Sequence, residues 1–96
     1  MKDIYSHIET HCEESIEQLF ELVRQPSISA QKFGFDKAPV LMRELLERNG
    51  FAAEVVPVPN DGLPTVYGFM PASHASDEAP TLLFYCHYDV QPVDPL

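Results

Sequence analysis

Residues 81–87 read TLLFYCH, apolar and strand-forming at nearly every position. A strand with one wet face alternates apolar and polar side chains, whereas a continuous apolar run suits a strand covered on both sides. The segment therefore predicts a central strand, and the other elements must be arranged to cover it. Ninety-six residues suit one small domain, yet with 45% hydrophobic residues the apolar surface strains what so short a chain can bury. The expectation is an α/β layered domain whose sheet is unfinished, truncated, and left with a sticky strand edge.

Two helices are expected ahead of that strand. From position 3 to 24 the residues Ile4, Ile8, Cys12, Ile16, Leu19, Phe20 and Val23 recur at three and four, with Glu13, Glu14, Glu17 and Glu21 filling much of the rest. Asp3 or the capping box SHIE at Ser6 could open this helix, and Pro26 disfavours helix at Gln25. PSISAQKFGF then reads as a loop. A second helix is predicted from Asp36 as N-cap through KAPVLMRELLERN, with Pro39 in the first turn and Gly50 ending it. Val40, Leu41, Leu45 and Leu46 supply its apolar stripe.

After Gly50 the period changes. AEVVPV and TVYGFM are rich in β-branched and aromatic residues, and the Asp61-Gly62 pair between them signals a turn, so two antiparallel strands are expected. Pro57 and Pro59 cannot donate to a ladder, which places the first strand at an edge. PASHASDEAP reads as a polar surface loop containing His74.

Fifteen acidic against six basic residues give a net charge of -9, which repels phosphate backbones and anionic lipid. Neither nucleic acid nor membrane is expected as a partner. Cys12 and Cys86 lack the spacing of a disulfide framework or a four-cysteine zinc site, so both are read as free thiols. The polar N-terminus does not resemble a secretory signal, and a cytoplasmic location is the expectation.

Chemistry enters at the end of the predicted third strand. If extension persists, alternation puts Leu83, Tyr85, His87 and Asp89 on one face, so His87 and Asp89 converge while the neighbouring Cys86 and His87 diverge. That argues against a cysteine–histidine catalytic pair. In open α/β sheets the binding crevice lies off the carboxyl ends of strands, where His87 would sit. A neutral imidazole binds zinc best when its other nitrogen donates to a carboxylate, and Asp89 suits that supporting role. A histidine paired with aspartate for structural reasons alone fits the same H-x-D spacing, so three residues leave both readings open.

The longer stretch FYCHYDVQP resembles the metal-ligand segment of the zinc-dependent metallopeptidase family that includes carnosine dipeptidase, aminoacylase, acetylornithine deacetylase and succinyl-diaminopimelate desuccinylase. That family's pattern is an apolar strand followed by G-H-x-D-V-x-P, and Cys86 in place of glycine is the one departure. LVRQPSIS looks like the family's post-helix segment, and MRELLERNGFAAEVV like its second helix and following strand. Tyr88 and Gln91 lean toward the dipeptidase branch.

The resemblance implies that residues 1–96 are the N-terminal portion of a catalytic domain with three layers and a mixed sheet, of the zinc exopeptidase type. It implies a hydrolase acting on dipeptides or N-acyl amino acids through two zinc ions bridged by a carboxylate and a water, with a glutamate as general base. His87 would be the zinc ligand and Asp89 the catalytic aspartate that contacts it. Other divalent metals remain compatible with imidazole and carboxylate donors, and a homodimer of the full-length protein is left open. The remaining ligands are expected beyond Leu96, and Glu13, Glu14 and Asp94 receive no such role. The chain by itself is accordingly expected to be inactive.

Other candidates rank lower. His7 and His11 lie four apart, but HIETH misplaces the glutamate of the H-E-x-x-H zinc pattern, and a solvated helix face is expected. Ser27 and Ser29 lack a nucleophile elbow and read as loop residues that hydrogen-bond locally. Tyr88 either lines a cleft or packs. The rival to the enzyme is a non-catalytic truncated or degenerate relative, kept for its fold or for association.

Overall fold

The computed structural model describes residues 1–74 and 76–93, and consists of two α-helices, a 3-10 turn and one antiparallel hairpin. Asp94 lies outside the described residues.

Helix α1 runs Lys2–Arg24 and begins upstream of both anticipated caps, with Met1 in the cap position and no capping side-chain hydrogen bond. Its end is as expected: Pro26 forces Gln25 out of the helical region, to φ -81° and ψ 118°. No residue of α1 is buried, and its apolar stripe, including Ile8, Leu19 and Val23, stands exposed. Polar contacts join it to the next helix. Arg48 Nη1 donates to both carboxylate oxygens of Glu21 at 2.9 Å, and Asn49 Nδ2 donates to Gln18 Oε1 at 2.8 Å. An exposed ion pair of this kind contributes about 1 kcal/mol at most.

Helix α2 runs Ala38–Arg48 with Pro39 in its first turn, as the sequence predicts. Asp36 does not cap it. Lys37 holds the cap position, and the Ala38 N–H already reaches the Gly34 carbonyl at 2.8 Å, so the preceding turn satisfies a donor a capping carboxylate would serve. The other end is closed by Gly50 at φ +92°, whose N–H donates to Glu47 O at 3.1 Å while Phe51 N–H donates to Leu46 O at 3.0 Å. This double closure turns the chain sharply and depends on a residue that tolerates the left-handed conformation.

That turn feeds the hairpin of β1, Ala52–Val58, and β2, Gly62–Phe69. The pairs Ala53 with Gly68 and Val55 with Val66 share the half-buried face, against which α2 packs, while Glu54 and Tyr67 face outward. Close packing of α2 explains Gly68, where a Cβ would come within 3.1 Å of Leu46 Cδ1. Among the described residues the buried apolar side chains are Ala38, Pro39 and Leu45, all on α2. The hairpin turn centres on Asn60 and Asp61, both at φ 61°, one residue earlier than the Asp61-Gly62 signal suggests. The register shifts between Val56 and Val58, so that Leu63 and Pro64 lie opposite Pro57 alone. Two prolines without N–H groups make this the natural place for a bulge.

Residues 81–87 do not form the expected central strand. They form no ladder among the described residues, and Leu82, Leu83, Phe84 and Tyr85 are between 78% and 91% exposed. A strand exists only as a pairing of backbone groups, and among the described residues the sheet consists of β1 and β2 alone. The apolar pattern reports what this segment would bury given a sheet to join; it cannot create the partner. The fold shown is thus mixed α and β, helices with a two-stranded antiparallel sheet. No helix is long and apolar enough to cross a membrane among the described residues.

Candidate functional site

The segment that follows the apolar run is tied down where the run itself is not. The loop after α1 is the anchor. Ile28 and Phe33 exchange backbone hydrogen bonds at 3.0 and 3.1 Å around the 3-10 turn Ser29–Gln31, with Lys32 at φ 50° closing it. Gly34 follows at φ +89°, where a Cβ would lie 1.9 Å from the Pro26 carbonyl oxygen, so only glycine permits this crossing.

Against this loop residues 88–90 are held by three hydrogen bonds. Ser27 Oγ donates to Tyr88 O at 3.0 Å, the Val90 N–H donates to Ser27 O at 2.9 Å, and Ser29 Oγ donates to Asp89 Oδ2 at 2.5 Å. Ile28 and Val90 form a parallel bridge. Ser27 is buried, at 4% exposed, with its hydroxyl and its carbonyl both paired. Tyr88 secures the other side: its ring packs 5.6 Å from that of Phe35, and its hydroxyl donates to the Pro64 carbonyl on β2 at 2.5 Å. Burial, then the nearby Asp89 charge, raises the Tyr88 pKa, so the phenol stays protonated as this donor role requires.

His87 and Asp89 meet as alternation anticipates. His87 Nδ1 lies 3.0 Å from Asp89 Oδ1 and 3.1 Å from the Asp89 carbonyl oxygen. Both neighbours are acceptors, so Nδ1 must carry the proton and, in the neutral ring, Nε2 holds the free lone pair. The His87 side chain is 79% exposed. The hydrogen bond from Ser29, then that from His87, holds the Asp89 carboxyl below the ordinary 3.8 against the opposing effect of desolvation. The arrangement is a chain of three groups, Ser29 to Asp89 to His87, that ends in an outward nitrogen able to donate a lone pair.

This donor set suits one imidazole ligand to a divalent metal and no more. Among the described residues no group of three His, Cys, Asp or Glu side chains converges as a metal site. Cys86 is exposed and outside the hydrogen-bonded chain. Cys12 is likewise an exposed free thiol. His7 and His11 stack with ring centroids 4.3 Å apart on the exposed surface of α1, where His11 Nδ1 contacts Glu14 at 3.3 Å. They border a shallow concavity of about 310 Å³ far along the chain from His87. His74 is exposed in its loop.

The serines are what sequence reasoning missed. Expected to bond locally, Ser27 and Ser29 instead bond to residues 61 and 60 positions away. No local pattern distinguishes a loop hydroxyl that caps its own turn from one that reaches across the fold. Comparison with family models, with curated proteins and with solved structures returned no match.

Proposed function

We propose that residues 1–96 contribute the first metal ligand of a zinc-dependent hydrolase that cleaves amide bonds in dipeptides or N-acyl amino acids, within a three-layer catalytic domain of the zinc exopeptidase type. The observation that carries the reading is the pairing of His87 Nδ1 with Asp89, which leaves Nε2 free in a segment of the form F-Y-C-H-Y-D-V-Q-P. In this reading His87 holds the metal and Asp89 fixes the tautomer and direction of the ring. When bound, zinc polarises an amide carbonyl and lowers the pKa of water. One imidazole falls short of the three protein ligands usual in a catalytic zinc site, so the 96-residue chain alone has no hydrolase activity.

The test is a Zn²⁺ titration of the ¹⁵N-histidine-labelled chain. Resonances of His87 Nε2 should move before those of His7, His11 and His74, and the His87→Ala chain should lose that response. Zinc that shifts the α1 histidines and spares His87 sinks the ligand assignment. For the hydrolase itself, the protein as the cell makes it should turn over dipeptides or N-acyl amino acids, lose that activity to a chelator, and lose it in the His87→Ala form.

A second reading, a non-catalytic relative kept for association, is favoured by the exposed apolar faces of α1 and of residues 82–85. Chelator-insensitive behaviour of the cellular protein, together with stable complex formation through those faces, would support it instead.

A further inference from the structure

We propose that Ser29 is a positioning residue for the metal-ligand pair, acting through Asp89 on His87. The inference rests on the reading of His87 as a ligand, but its geometry is independent of any metal. A carboxylate accepts and does not donate, so the 2.5 Å contact is the Ser29 hydroxyl giving its proton to Asp89 Oδ2. The same carboxylate offers its other oxygen, Oδ1, to His87 Nδ1 at 3.0 Å. Asp89 is thereby gripped at both oxygens, and its orientation is set from a loop whose own shape is enforced by Gly34 and by the Ile28 and Phe33 hydrogen bonds.

Without the Ser29 hydroxyl the Asp89 side chain regains its rotation about the Cα–Cβ and Cβ–Cγ bonds, and Oδ1 is no longer held against Nδ1. His87 is exposed, so water then competes for both ring nitrogens and the tautomer with the proton on Nε2 becomes populated. That tautomer has no lone pair facing outward. Ser27 has a different task in the same loop: it bonds only the backbone of Tyr88 and Val90 and holds the segment in place without touching Asp89.

Long-range ¹H–¹⁵N correlation spectra of the full 96-residue chain at a pH where the imidazole is neutral decide the matter, because the two tautomers differ in their ring-nitrogen shifts. The wild-type chain should show the proton on Nδ1 of His87. In Ser29→Ala the ratio should move toward the Nε2–H form by roughly fivefold, the effect of losing one hydrogen bond of ordinary net strength. Contacts between the Tyr88 and Phe35 rings should persist in the nuclear Overhauser spectrum, and Ser29→Thr, which keeps a hydroxyl, should restore the wild-type ratio. An unchanged tautomer in Ser29→Ala overturns the proposal. So does loss of the Tyr88–Phe35 contacts in Ser29→Ala without rescue by Thr, which would make Ser29 a general structural tether. A Zn²⁺ titration that leaves His87 unmoved while the tautomer responds to Ser29 removes the ligand reading and leaves the positioning role standing.

Discussion

Ser29 and Asp89, sixty positions apart, meet in a 2.5 Å hydrogen bond that joins the loop after the first helix to the residues following the apolar run. This contact places the His87 and Asp89 pair on a tether. Its strength should be visible in how Asp89 titrates.

The Asp89 carboxyl is held below the ordinary value of 3.8, first by Ser29 and then by His87. A depressed folded pKa means that the unfolded chain binds the proton more readily, so the contribution is present above the unfolded pKa and is lost as pH falls through the folded one. The junction should therefore persist through neutral pH and weaken only below about pH 4, the unfolded range of aspartate. Carboxyl ¹³C titration should show Asp89 below the ordinary aspartate value and rising toward it in Ser29→Ala. A wild-type Asp89 titrating at or above the unfolded value contradicts the geometry.

Gly34 controls the anchor loop. Its φ of +89° and the 1.9 Å clash a Cβ would make with the Pro26 carbonyl leave no accommodation for alanine. Gly34→Ala should cost about 1–3 kcal/mol by strain alone. Because the loop carries Ser29, the substitution should also release Asp89, seen as loss of hydrogen-exchange protection at the Val90 amide. Protection equal to wild type would show that the loop can be rebuilt without this glycine.

The core predicts a contrast between residues of similar apolar character. Leu45 is 8% exposed and Leu82 is 78% exposed. Leu45→Ala should cost about 2–5 kcal/mol, whereas Leu82→Ala should change stability by about 0.5 kcal/mol or less. Urea unfolding of the two variants measures both. Equal, large losses would mean that residues 81–87 are packed in solution.

The same exposure makes the apolar run adhesive. Leu82, Leu83, Phe84 and Tyr85 form a contiguous uncharged stretch with high strand propensity and no proline, the kind of segment that pairs with another copy or binds a hydrophobic dye. Phe84→Lys should lower dye fluorescence and raise the concentration at which the chain associates in sedimentation. Unaltered behaviour would place the adhesive surface on α1 instead.

Much of the local structure is legible in the residues. Pro26 ends α1, Pro39 sits in the first turn of α2, Gly50 closes it, and the strands of the hairpin fall where β-branched residues gather. These features depend on φ preferences and missing N–H groups, which belong to single residues and their neighbours. The convergence of His87 and Asp89 was legible for a similar reason, since side-chain alternation is a local property.

What lay beyond the sequence was everything that needed a second segment. The TLLFYCH run carries the composition of a central strand, but a ladder requires a partner's backbone, and only the tertiary structure shows that β1 and β2 pair with each other while residues 81–87 stay outside. Asp36 has the chemistry of a cap, yet the carbonyl of Gly34 already takes the Ala38 N–H. Ser29 reads as an ordinary loop hydroxyl until the fold carries Asp89 to within 2.5 Å of it. The sequence by itself determined where Pro26 and Gly50 end the helices and that His87 and Asp89 pair, because each is settled within a few residues. Tertiary structure alone decided which hydroxyl grips that pair and which apolar segment is left uncovered, because hydrogen bonds and burial are relations between distant parts of the chain.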